Sequence, residues 1–373
     1  MKRNSILAAV VGAAALGLAS LGSAMADDVP IGVIANLTGQ DVNTSVQMVR
    51  GVQIAADEIN KAGGINGKTI KLIVEDSEYK TQEALTAATK LYEVDKAPAA
   101  IMFGGSSLMI AVAELAKQDG KVLLNTSSSS AKLGDYPGTL FSILPLDDIV
   151  GKALGKYVAE KGVKSVATIV PNNTFGLGVA NAAGKAFKEA GGKVVKSVAY
   201  TEGQPDYRAD VQSVVAASPE AIISAGYGDD SRTIFKNARE LGLNAPWYTA
   251  YPSIFTVENE KWMNGKLSGV DNGGYGDDAG KAVLAAYKAK WPKEGEPLAH
   301  IYYGYDAMKV LAAAMKTGGE DPKAIAAAMR AAVKGYVGAT GSIEWDDRGQ
   351  RINPPLDLIE YKDGKFETVG TLK

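Results

Sequence analysis

Eight short apolar runs, each followed by a longer amphipathic stretch, are the feature that most constrains this chain. The runs lie at 30–37 (PIGVIANL), 69–76 (TIKLIVED), 99–104 (AAIMFG), 121–125 (KVLLN), 165–170 (SVATIV), 193–200 (KVVKSVAY), 221–226 (AIISAG) and 246–250 (PWYTA). They are rich in Val and Ile, bounded by Gly, Pro and Asn, and mostly apolar on both faces, as strands buried in a parallel sheet are. The intervening stretches carry helical spacing. Val46, Val49, Val52, Ala56 and Ile59 recur every three or four residues until Gly63-Gly64 stops the pattern. Segments 81–94, 108–118, 147–161, 176–190, 206–217 and 229–241 read the same way. This alternation predicts an α/β fold of doubly wound parallel sheets.

The alternation is broken twice. Pro145 and the acidic pair Asp147-Asp148 separate two strand–helix sets of similar size, the pair suiting the start of a new helix. After Tyr275 three helices follow in a row, at 277–291, 300–317 and 322–333, placed to return and cover the first set. The tail reads as strands: SIEW, a polar turn at DDRG, then LDLIEY and KFETVG joined by Lys362-Asp363-Gly364. Asp-Gly between alternating strands is a strong hairpin signal. A chain of 373 residues suits two such domains.

Composition then removes whole classes of chemistry. Forty Lys and Arg balance 42 Asp and Glu, so the basic surplus of a nucleic-acid binder is missing. With no Cys there is no disulfide, thiol nucleophile or cysteine-ligated zinc, and one His leaves little for histidine catalysis. No cofactor and no metal are expected. At the N-terminus, Lys2 and Arg3 precede an uncharged Ala- and Gly-rich run that ends in Ala24-Met25-Ala26. A basic start, an apolar stretch and an A-x-A box predict a cleaved export leader over 1–26 and a periplasmic product without a lipid anchor. Loss of Lys2 and Arg3 takes the formal charge from -2 to about -4.

Several motifs look catalytic and fail. Ser77-x-x-Lys80, Ser129-x-x-Lys132 and Lys316-Thr317-Gly318 resemble elements of penicillin-interacting enzymes, but the S-D-N element is missing. Gly176-x-Gly178 has its third glycine at Gly184, too far for a dinucleotide fingerprint. His300 has no nucleophile context and reads as a packing or surface residue. What remains are loops of small hydroxyl residues at strand ends, where open α/β sheets hold ligands. Gly104-Gly105-Ser106-Ser107 opens a helix after one strand, and Asn125 to Ser130 follows the next. Backbone N–H groups and hydroxyls there can cradle a carboxylate without a cationic partner, or can be ordinary helix caps. From the second set, Phe175, Tyr227, Tyr248 and Tyr251 offer aromatic walls, while Trp247 reads as core.

Over essentially its whole length past the leader, the chain resembles the type I periplasmic solute-binding proteins of ABC importers, in their branched-chain amino acid binding branch. The resemblance is carried by IGVIANLTGQ (31–40), RGVQIAADEINKAGGINGKTIKLIVED (50–76), FGGSSLMIAVAELAK (103–117) and LFSILPLDD (140–148). It continues through NNTFGLG (172–178), ARELGL (238–243), YYGYDAM (302–308) and GATGSIEWDDRGQ (338–350). It implies two lobes joined by three crossovers, 27–146 plus 276–350 and 147–275 plus 351–373, with the ligand held between them. Closure on the ligand would present both lobes to a membrane permease, the protein acting as a monomer. Family binding positions fall on Ser106, on Ser127 and Ser129, on Phe175 and on Tyr227, with the first-loop position at Thr44 in place of the family's tyrosine.

The family's acidic partner for an α-ammonium should sit near 250–254, where this chain reads Ala-Tyr-Pro-Ser-Ile with Tyr251. Asp229 or Asp230 can substitute, or can simply open a helix. A buried ammonium without a partner is costly, so the expected ligand is a small organic carboxylate, an aromatic acid fitting well. A branched-chain or other hydrophobic amino acid is the alternative. A sensor of the same fold that reports rather than imports is the alternative of another class; an enzyme is not expected.

Overall fold

The computed structural model describes residues 28–226, 228–255 and 261–372. The leader assigned to 1–26 and the candidate Tyr227 lie outside the described residues.

The first half alternates as the apolar runs require. β1 (Asp28–Ala35), α1 (Val42–Lys61), β2 (Thr69–Asp76), α2 (Thr81–Thr89), β3 (Ala99–Met102), α3 (Ser106–Gln118), β4 (Val122–Asn125) and β5 (Leu140–Ser142) follow in order. Their sheet runs β2-β1-β3-β4-β5 and is parallel throughout. The second half begins with α4 (Asp147–Glu160), β6 (Ser165–Pro171), α5 (Thr174–Glu189), β7 (Lys193–Tyr200) and α6 (Arg208–Ala216). It continues with β8 (Ala221–Ser224), α7 (Gly228–Glu240), β9 (Trp247–Ala250) and β10 (Leu267–Asn272). In each sheet the winding reverses, between β1 and β3 in one and between β6 and β8 in the other. Ligands of such sheets sit at the carboxyl ends of the strands flanking that reversal.

Three helices then return to the first sheet, as the sequence predicts: α8 (Asp278–Lys290), α9 (His300–Gly318) and α10 (Pro322–Ala332). Met308, Leu311, Met315 and Met329 from α9 and α10 share one core with Ile31, Val33, Ile101 and Leu124 from the strands. The close approach of α1 and α9 depends on two glycines. A Cβ on Gly51 would lie 1.9 Å from the Ile301 carbonyl oxygen, and one on Gly304 would lie 2.1 Å from that of Met48.

Two short hairpins follow, β11 (Val337–Gly338) with β12 (Gly341–Ser342) and β13 (Glu344–Trp345) with β14 (Arg351–Ile352). Then β15 (Leu356–Lys362) and β16 (Lys365–Leu372) join the second sheet, whose order is β16-β15-β10-β9-β8-β6-β7. Asp363 and Gly364 both take positive φ, 50° and 83°, the backbone that a two-residue hairpin turn needs.

The chain therefore passes between the sheets three times, near 143–146, 273–277 and 353–355. Arg351, 1% exposed, binds one passage to the rest of the first half. Its guanidinium donates to the carbonyls of Ile143 (2.7 Å), Thr340 (2.6 Å) and Ser342 (2.6 Å), and to Thr340 Oγ1 (3.1 Å). Asp306, fully buried on α9, accepts from the N–H groups of Ala339 and Thr340, from Thr340 Oγ1 and from Tyr336, all within 2.9 Å. Trp345 Nε1 donates to the Ser142 carbonyl at 2.7 Å.

Two strands of the large sheets, besides the short hairpin strands β11 and β14, fall outside the sequence expectation. β5 is three residues long, and β10 reads LSGVDN, too polar for a buried strand by pattern alone. Gly269 explains β10: a Cβ there would lie 1.9 Å from the Thr249 carbonyl oxygen of the neighbouring strand. The α1–α9 contact supplies a stability test. Gly51→Ala forces apart two backbones, and overpacking of this kind costs about 1–3 kcal/mol or more. A lowered thermal midpoint is expected, and an unchanged one would show that the helices do not meet this closely.

Candidate functional site

At the carboxyl end of the first sheet, two loops are stitched together. Gly104 and Gly105 lead from β3 into α3, and a Cβ on Gly105 would lie 2.7 Å from the Tyr79 hydroxyl. In the next loop the Asn125 side chain turns back on its own backbone. It accepts from Ser127 and Ser128 N–H (3.2 and 2.8 Å) and donates to the Ser128 carbonyl (2.6 Å) and Ser142 Oγ (3.0 Å). Ser127 Oγ accepts from Gly104 N–H (2.8 Å) and donates to its carbonyl (2.9 Å), and Ser128 Oγ donates to the same carbonyl at 2.6 Å. Much of the serine-rich run thus builds the loop itself. The Ser127 hydroxyl is engaged by Gly104, so what that position adds to a ligand site is a shape.

Ser106 and Ser129 are the two buried hydroxyls placed to do more. Ser106 is 5% exposed at the first position of α3, where helical N–H groups have no partner within the helix. Its Oγ accepts from Ser130 N–H at 3.3 Å. Ser129 is 4% exposed, and its carbonyl accepts from Asp147 N–H at 2.6 Å. That bond crosses from the first half's loop to the first residue of α4.

The second half presents a different set of groups. Asn173 caps α5 by accepting from Gly176 N–H at 2.9 Å, which fixes Phe175 in the first helical turn. Phe175 is buried, and its ring centroid is 6.0 Å from that of Tyr251. Tyr251 follows β9 in the left-handed region (φ 55°, ψ 58°), unusual for a bulky residue. It is 5% exposed, and its hydroxyl makes no well-aligned hydrogen bond, with the Ser129 hydroxyl nearby. Burial, then the neighbouring Asp147, push that phenol well above its usual pKa. Where the two halves meet, Ser107 Oγ of α3 lies 3.4 Å from Thr174 Oγ1 of α5.

Asp147 belongs to this group, although the sequence marks it only as a helix start. It is fully buried, and its carboxylate makes no well-aligned hydrogen bond, the Ser129 hydroxyl being the donor near it. Burial raises its pKa well above the ordinary carboxylate range, and the nearby Ser129 hydroxyl partly opposes the rise. Gly178 makes room for it, since a Cβ there would lie 2.6 Å from Asp147 Oδ2. Gly176 is likewise a packing glycine, 2.3 Å in the same sense from the Pro171 carbonyl oxygen. A signal for Asp147 was present: it shares a helical stripe with Val150, Leu154 and Val158, all buried, whereas Asp148 faces water.

Other sequence candidates lie elsewhere or do other work. Thr44 is half-buried in the first turn of α1, its hydroxyl donating to Asp41 Oδ1 at 2.5 Å. Asp229 is exposed at the start of α7 and pairs with Arg232 at 2.9 Å, so it behaves as a helix-terminal charge. Asp230 accepts from Gly203 N–H. Trp247 is core, 1% exposed, with Phe235 edge-on at 5.2 Å. Tyr248 is buried beside Tyr157, ring centroids 5.9 Å apart.

An aromatic set near Tyr251 was not anticipated from the sequence. Tyr303 and Tyr275 share a 2.8 Å hydroxyl contact, and Tyr303 lies close enough to Tyr251 to disfavour its ionisation. His300 stands edge-on to Phe103 at 5.3 Å and 5.7 Å from Tyr303, so it is a packing residue.

A profile of the periplasmic binding protein family matches residues 28–365. An amino acid binding protein of Pseudomonas aeruginosa is 30% identical over 376 aligned positions, covering 98% of this chain and 97% of its own. Among solved structures, a branched-chain amino acid transporter substrate binding protein from Streptococcus pneumoniae in complex with isoleucine superposes with a TM-score of 0.81. It is 25% identical and covers 93% of this chain and 100% of its own. An ABC transporter solute binding protein from R. palustris in complex with benzoate gives a TM-score of 0.80 at 19% identity, covering 92% of this chain and 96% of its own. Fold and comparisons together define a two-lobed solute-binding protein. The chain belongs to the periplasmic binding protein family.

His300 supplies a pH test. Loss of hydration lowers its pKa from the usual 6.5 to about 4. The unfolded imidazole therefore takes up its proton first as pH falls, and stability is lost between about 6.5 and 4 and is flat above. His300 keeps part of its surface in water, so His300→Phe is expected to remove a part of the acid sensitivity of about 1–2 kcal/mol, read by denaturant titration at pH 7 and 4.5. A wild-type slope in the variant would refute the assignment.

Proposed function

We propose that this chain is the substrate-binding component of an ABC importer that captures a small organic carboxylate between its two lobes and delivers it to a membrane permease. The lobes are taken as 27–146 plus 276–350 and 147–275 plus 351–373, the mature protein as a periplasmic monomer freed of residues 1–26. The support that weighs most is the pair of stitched loops after β3 and β4. They carry the buried hydroxyls of Ser106 and Ser129 and the first N–H groups of α3, with Ser107 3.4 Å from Thr174, the neighbour of Phe175, and Ser129 beside Tyr251. Helix-terminal N–H groups and hydroxyls bind a carboxylate without any cation, through aligned dipoles. The two rings suit an apolar or aromatic body. Thr44 and Tyr227 are proposed as further ligand-binding residues.

Opening and closing about the crossovers is the motion such a site needs, since ligand contacts to both lobes favour the closed arrangement. The relatives divide over the body of the ligand: one solved neighbour holds isoleucine and another benzoate. Both carry a carboxylate, and this is the group that the serine loops address.

Thermal-shift screening against hydrophobic amino acids and aromatic acids tests the proposal. A ligand at a hundred times its Kd adds about 2.7 kcal/mol to stability. Ser106→Ala is expected to weaken the best ligand roughly 10- to 100-fold by calorimetry, as the loss of a hydrogen bond to a charged group does. Full affinity in that variant would remove Ser106 from the site.

A further inference from the structure

We infer that the groove between α5 and β7 is a second binding site, apart from the serine loops, for a small amphiphilic carboxylate. β7 ends the second sheet, and its Ser197 and Ala199 are exposed although they stand in register with the buried Thr168 and Val170 of β6. Between this strip and α5 lies a groove of about 400 Å³, a size that suits a small molecule. Its lining falls between Thr168 and Ala199, so it belongs wholly to the second half of the fold.

Two residues of the lining are not accounted for by packing. Thr168 is 2% exposed, and its Oγ1 has no hydrogen-bond partner among the described residues. A buried hydroxyl left unpaired is costly, and valine has the same shape without that cost. Gly184 is the second. Gly151, Gly155, Gly176 and Gly178 of α4 and α5 are required by close neighbours, since a Cβ on each would lie 2.2–2.7 Å from another atom. A Cβ on Gly184 would meet nothing nearer than Val194 Cγ2 at 3.6 Å, an ordinary contact. Glycine inside a helix is less stable than alanine. What this one does is keep the groove wide.

The chemistry of the groove is graded along α5, where Leu177, Asn181, Gly184, Lys185 and Lys188 form one helical stripe facing it. The Leu177 end is apolar, with Leu177 itself 40% exposed and Val170 and Ala199 on the sheet. In the middle, Thr168 and Ser197 are register partners, so two hydroxyls stand together with Asn181 on the α5 side. At the far end Lys188 has no carboxylate partner among the described residues, and Lys185 reaches Glu189 only at 4.0 Å. Hydroxyls, an amide and free ammonium groups are the donors that a carboxylate takes, and the Leu177 end takes an apolar body. Two such basic rims would repel each other, which argues against a second copy of the chain seated on this face.

Octanoate is the probe and octanol its uncharged counterpart, with binding followed by methyl NMR and calorimetry. Octanoate is expected to shift the methyl signals of Leu177 and Val194, and octanol to bind roughly tenfold more weakly. Lys188→Glu should weaken octanoate by a similar factor. Thr168→Val and Gly184→Ala should each raise the thermal midpoint of the ligand-free protein while weakening octanoate, because each removes a local cost that ligand binding explains. Neither introduces a clash, so both variants are expected to fold. Octanoate that fails to bind, or that shifts only signals around Phe175, Tyr251 and the serine loops, overturns the inference. So does wild-type affinity in Lys188→Glu and Gly184→Ala. A wild-type dimer that Lys188→Glu or Gly184→Ala abolishes in sedimentation would make the groove a contact between copies, and would overturn it as well.

Discussion

The arrangement depends on a buried guanidinium. Arg351 sits where the third passage between the sheets leaves the first half, and it donates to carbonyls from two other segments, Ile143 and Thr340 to Ser342. Ile143 lies at the start of the first passage, and Pro145 pairs directly with Arg351. Two of the three connections are thereby held side by side on one support. Such a buried cation is tolerable only because four acceptors surround it. Asp306 organises the same 339–340 turn from the other side. The sheets can change their relation only about connections whose ends are fixed in this way. The faces that meet, Ser107 against Thr174 and the serine loops against Phe175 and Tyr251, follow from that constraint.

Much of this was readable in the chain. The eight apolar runs became strands, and the helix stops, the returning helices and the Asp363-Gly364 hairpin fell where local chemistry puts them. β10 escaped because its residues are chosen for a neighbour: Gly269 answers to the Thr249 backbone, and no pattern within LSGVDN reports that contact. Of the candidate site residues, Ser106, Ser129, Phe175 and Tyr251 are buried, with Tyr251 beside both Phe175 and Ser129. Ser127 turns its hydroxyl to Gly104 and Asp229 faces water, because a side chain's direction depends on the loop that carries it. Asp147 was legible in principle from its place on the apolar stripe of α4, but an acidic pair at a helix start has a ready local explanation that hides it.

The close approach of α1 and α9 has a consequence for how the molecule comes into being. The core over one face of the first sheet is built from strands near residue 30 and helices beyond residue 300, and the second sheet is completed by strands that end at Leu372. Neither half can close its core from a contiguous piece of chain. Contacts this distant in sequence are slow to form and leave apolar surface open until they do. A chain delivered N-terminus first would stay pliable until nearly its last residue had arrived, which is the condition a narrow passage across a membrane imposes on its cargo.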